Sequence, residues 1–66
     1  MGKLYTIEIK NIYSNAIYNI TSFGQDNREV HKHVLYDVIS RNECILKIYY
    51  EGHCVFDDEI GFISKK

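Results

Sequence analysis

One segment limits the folds open to this chain more than any other: DNREVHKHVLYDVI, Asp26 to Ile39. Val30, Val34, Leu35, Val38 and Ile39 recur at helical spacing, so they form one apolar stripe. Asp26 followed three residues later by Glu29 is a capping box: Asp26 accepts from backbone amides and Glu29 reaches back. The pattern predicts a helix from Asn27 to Ser40. Arg41 suits its negative end, and Asn42 is placed to take a left-handed cap. A single helix with one apolar stripe needs a sheet to pack against.

Both flanks supply β-rich sequence. Leu4 to Ile12 alternates, with Tyr5, Ile7 and Ile9 on one side and Thr6, Glu8 and Lys10 on the other. Tyr13-Ser14-Asn15-Ala16 reads as a turn, and Ile17 to Phe23 as the returning strand. Ile12, Ala16, Ile17 and Ile20 also fit a helix, but β-branched and aromatic content favours the hairpin. Cys44–Tyr49 and His53–Asp57 form a second hairpin around Tyr50-Glu51-Gly52, with glycine as the third loop residue. In that register Leu46 faces Phe56 and Ile48 faces Cys54 on the core side. Ile45, Lys47, Tyr49, His53 and Val55 then fall on the other side. Ile60, Phe62 and Ile63 either extend this strand or make a short fifth one. The expected fold is therefore α+β, a two-layer sandwich in the order β-β-α-β-β. One helix packs on a four- or five-stranded antiparallel sheet, in a single small domain spanning 1–66.

Size and charge narrow the function. A chain of 66 residues buries only ~60% of its unfolded surface, leaving little room for both a core and an enclosed active site. A net charge of −1 lacks the basic excess of a generic nucleic-acid binder. There is no apolar run of the ~18 residues that span a bilayer, and MGKLYTIEIK alternates where a signal peptide would be continuously apolar. A cytoplasmic location is expected, with Cys44 and Cys54 reduced and serving as small core hydrophobes. Abundant Ile, Asn, Lys and Tyr, with no Pro or Trp, point to an AT-rich genome such as that of a low-GC bacterium or its phages.

The stretch HKHVLYDV, His31 to Val38, carries the chemistry most open to interpretation. On a helix His31 falls within the apolar arc while His33 lies beside Asp37 on the solvent side. Ligands at i and i+2 diverge, and His33 with Asp37 makes only two, so no metal site and no cofactor is expected. Neither cysteine has a cation in its neighbourhood to activate it as a nucleophile. Asp57-Asp58-Glu59 reads as a solvated strand end, and KIYYEGHCVF has a single cation, too little for a base-stacking sheet. No catalytic residue is assigned; the chain reads as non-enzymatic.

Two surfaces remain. On the helix, Tyr36 stands within a polar ring of Lys32, Glu29, His33 and Ser40, the composition of a partner-binding hot spot. On the sheet, the face away from the helix would carry Leu4, Ile12, Ile17, Ile45, Tyr49 and Val55 around Lys47. This is enough apolar surface to predict a homodimer through Ile45, Lys47, Tyr49 and Val55. The expected function is a small protein-binding module. In size and surface, though in no motif, it resembles phage or mobile-element inhibitors that block a host enzyme or defence complex, anti-CRISPR-like in style. The alternatives are a nucleic-acid-associated regulator and a minimal metal-dependent hydrolase.

Overall fold

The computed structural model describes residues 2–63. Five antiparallel strands form one sheet: β1 (Lys3–Asn11), β2 (Ile17–Gly24), β3 (Glu43–Tyr50), β4 (His53–Asp57) and β5 (Gly61–Phe62). Their spatial order is β2-β1-β3-β4-β5, with the helix packed on one face. The last apolar segment is thus a fifth strand of two residues.

The first hairpin follows from its alternation. Tyr5, Ile7 and Ile9 are buried on the helix side. In the connecting loop the Asn11 side-chain oxygen accepts from the amides of Tyr13 and Ser14, 2.9 and 3.0 Å away, and Asn15 adopts φ 63°. An asparagine tolerates that left-handed conformation better than most residues. Ile12 belongs to this loop rather than to β1.

The second hairpin departs from expectation in its turn and its register. Tyr50 pairs with His53, so the loop has two residues, Glu51 and Gly52, at φ 50° and 81°. Positive φ at both central positions gives the type I′ geometry that suits the strands' twist. Two bulges then alter which side chains face the helix. Between the pairs Glu8–Lys47 and Ile9–Ile45, Leu46 is an extra residue on β3. Between Ile48–Phe56 and Tyr49–Cys54, Val55 is an extra residue on β4. A bulge breaks the two-residue alternation. Ile45 therefore joins Ile48 in the core, and Val55 joins its neighbour Phe56. This corrects the assignment of Ile45 and Val55 to the open face, and of Leu46 to the core.

Helix α1 (Asn27–His33) continues into a π-helical segment (Val34–Val38), twelve residues together. The Asp26 half of the capping box forms, with the Glu29 amide donating to Asp26 at 2.9 Å, while the Glu29 carboxylate reaches past the cap and accepts from the amide of Gln25, the residue before it. The helix ends at Val38, because Ile39 is extended. Ser40 lies outside it, and Asn42 is not left-handed; its carbonyl instead accepts from the Ile12 amide at 2.8 Å.

Val30 and Val34 insert between Ile7, Ile9 and Ile48, and all five are fully buried. Burial of each such side chain stabilises by roughly 1.5–3 kcal/mol. Gly24, at the end of β2, lets the helix approach. A Cβ there would lie 2.3 Å from Val30 Cγ2, so a larger residue fits only if the buried Val30 side chain or the helix that carries it shifts.

Candidate protein-binding surface

The π-helical segment creates the most apolar exposed surface on the helix. Within it the Ile39 amide donates to the Val34 carbonyl at 3.0 Å, across five residues rather than four. A wider turn advances the side chains less per residue, so the phase set by Val30 and Val34 is lost after Val34. Leu35 and Val38, expected in the core, are instead 39% and 49% exposed, on either side of Tyr36 at 73%. Three residues with large apolar side chains are thus exposed along one short segment, among them the tyrosine that the sequence singled out.

Its polar surroundings are only partly free to serve a partner. Lys32, His33, Glu29 and Ser40 are all exposed. Glu29 is occupied by the helix cap. The amide and hydroxyl of Ser40 donate to Glu43 at 2.9 and 3.3 Å. His33 Nδ1 lies 3.3 Å from Asp37 Oδ2, an exposed i, i+4 contact that contributes little to stability. Tyr36 and Lys32 are the members of the set without a structural task of this kind among the described contacts.

The open sheet face is more polar than expected once Ile45 and Val55 leave it. Lys47 pairs across the strands with Glu8 and Asp57, and Tyr49 with Thr6 and Cys54; both are half-buried there. Its apolar residues gather toward β2, where Leu4 pairs with Phe23. Phe23 went unrecognised in the sequence because it precedes the glycine where the strand pattern breaks. The signal that could have revealed it is the uncharged run IYNITSFG.

His31 carries out a packing role. Its ring lies 4.6 Å from that of Phe56 and 5.3 Å from that of Phe62, and burial lowers its pKa below the ordinary histidine value. Cys44 and Cys54 are free thiols, half-buried rather than in the core as expected. Cys54 pairs with Tyr49 instead of Ile48, and Cys44 pairs with Lys10, a cation that the sequence reading did not place beside it. Among the described residues no three His, Cys, Asp or Glu side chains are grouped so as to hold a metal ion. The acidic run folds into a turn in which Asp57 accepts from the Glu59 amide at 2.8 Å.

Two further features are built from aromatic residues. A groove of about 360 Å³ runs beside the start of the helix, lined in part by Lys3, Tyr5, Arg28, Tyr50 and Phe62. Its cations are directed at rings: Arg28 sits 4.4 Å from the Phe62 centroid and Lys3 Nζ 5.6 Å from that of Tyr50. At the opposite end of the sheet the Tyr18 hydroxyl donates to Glu43 across β1. That bond lowers the carboxyl pKa of Glu43 and raises the phenol pKa of Tyr18. No helix among the described residues is long and apolar enough to cross a membrane. Comparison with protein-family models, curated proteins and solved structures finds no match to this chain.

Proposed function

We propose that this chain is a non-enzymatic protein-binding module whose docking surface is the π-helical segment. The observation that supports it is the exposure of Leu35, Tyr36 and Val38 together on one short segment. A tyrosine supplies a large, rigid contact with a polar tip, and its aliphatic neighbours help exclude water around it. Lys32 and His33 form part of the rim. The partner is a cytoplasmic protein, a host enzyme or defence complex that the module blocks by covering a surface.

Tyr36→Ala tests this reading with two measurements. Tyr36 is largely exposed, so the substitution should alter folding stability by only ~0.5 kcal/mol in chemical denaturation. A partner captured by the wild-type protein from a low-GC bacterial lysate should bind the variant at least ~2 kcal/mol more weakly, nearly thirtyfold in Kd. Undiminished affinity with an intact fold would remove this surface from consideration.

A further inference from the structure

We infer that β2 pairs with β2 of a second copy, joining two sheets into one continuous ten-stranded sheet about a two-fold axis. The inference concerns a different surface from the helix and stands independently of it.

The two edges of the sheet are built differently. β5 has two residues and follows the acidic turn at Asp57-Asp58-Glu59. Shortness and nearby charge are ordinary defences against strand addition. β2 has eight residues, Ile17–Gly24, with no charge, no proline and an unbroken register against β1. The Asn11 amide donates to the Ala16 carbonyl at 2.8 Å. With alternation from that pair, Tyr18, Ile20, Ser22 and Gly24 direct their backbone groups at β1. The amides and carbonyls of Ile17, Asn19, Thr21 and Phe23 therefore point away from the sheet. Water or another strand must satisfy them.

A second copy fits that edge in one register using all four residues. Antiparallel pairing about Ile20 sets Ile17 against Phe23 of the second copy and Asn19 against Thr21. Every pairing occurs twice, as a two-fold axis requires. Ile17 and Phe23 are 56% and 68% exposed on the open face and would cover each other. On the helix face Ile20 meets its own counterpart and Tyr18 meets Ser22. No like charges meet, because β2 has none. The helices do not obstruct the approach. Val30 reaches Gly24 at the end of β2 while His31 on the other flank packs on Phe56 of β4. Ile7, Ile9 and Ile48 between them are fully buried, so the helix axis lies chiefly over β1 and β3. At a strand spacing of about 4.8 Å, two helices so placed are roughly 14–19 Å apart, beyond the ~10 Å of packed helices.

Sedimentation of the full chain with charge-swapped pairs tests both partner and register. Wild type should form a concentration-dependent dimer. Ile17→Glu with Phe23→Glu brings introduced carboxylates opposite each other twice and should weaken the dimer about tenfold or more. Ile17→Lys with Phe23→Glu loses the same apolar contacts but sets opposite charges together, and should recover most of the loss at low salt. Equal behaviour of the two double variants would overturn the register, and a monomeric wild type at millimolar concentration would overturn the pairing. Should either variant fail to fold, hydrogen exchange on wild type decides. The Asn19 and Thr21 amides should be protected at high concentration and exchange freely on dilution. Free exchange at every concentration would refute the edge even if a dimer forms elsewhere.

Discussion

His31 shows how one residue's role follows from what its helix lies against. The ring is half-buried against Phe56 and Phe62, where a neutral imidazole packs as an aromatic and an imidazolium would lose hydration. Burial accordingly lowers its pKa in the folded chain. As pH falls, the unfolded chain takes up this proton first, at about 6.5. The stability associated with neutral His31 is thus fully present above that value and is lost as pH falls through the lowered folded pKa. Thermal unfolding at pH ~7.5 and ~5 should show a larger loss for wild type than for His31→Leu, which cannot titrate there. Equal losses would mean that the ring is not buried in the way its contacts indicate.

Turns and bulges, at the scale of elements, decide what the side chains of this sheet do. Glu51 occupies φ 50° in the second hairpin, a position where asparagine is the favoured partner of a following glycine. Glu51→Asn should stabilise the fold by about 0.5 kcal/mol in chemical denaturation without affecting the outline of the sheet. No gain would mean that Glu51 makes a compensating contact. The same hairpin shows where reading from sequence stops. The capping residues Asp26 and Glu29 and the alternation of Tyr5, Ile7 and Ile9 are local signals, and they appear where local chemistry puts them. The bulges at Leu46 and Val55 have no glycine or proline to announce them. They arise because Ile45, Ile48, Val55 and Phe56 can all be buried only if the alternation slips, which is a property of the packed sheet. The π turn after Val34 is hidden for a similar reason. An ordinary α-helix through Ile39 has the same apolar periodicity, so Leu35 and Val38 read as core. Tyr36 was legible as a surface residue because it lies opposite that stripe, whereas its apolar neighbours became visible only with the altered turn.

The molecule as a whole depends on few buried side chains. Ordinary stabilities of ~0.05–0.15 kcal/mol per residue give about 3–10 kcal/mol for a chain of this size. The fully buried set, Ile7, Ile9, Val30, Val34 and Ile48, draws on β1, the helical segments and β3, which are joined in sequence only through loops and edge elements. Ile48 occupies the junction of these groups. It pairs with Ile7 on one side and Phe56 on the other, so it links the two hairpins across the middle of the sheet. Removing its branched side chain leaves a cavity that neighbours on two strands and a helix cannot all close. Ile48→Ala should cost about 2–5 kcal/mol, enough to leave a substantial fraction unfolded at 37 °C. Ile48→Val, which keeps the branch, should cost only about 0.5–1.5 kcal/mol. Ile60→Ala supplies the comparison, since that isoleucine is largely exposed and its loss should change little. Denaturation midpoints in the order Ile60→Ala, Ile48→Val, Ile48→Ala, highest first, would place the centre of stability between the hairpins. A severe loss from Ile60→Ala would instead show that the β5 end of the sheet carries weight its exposure does not reveal.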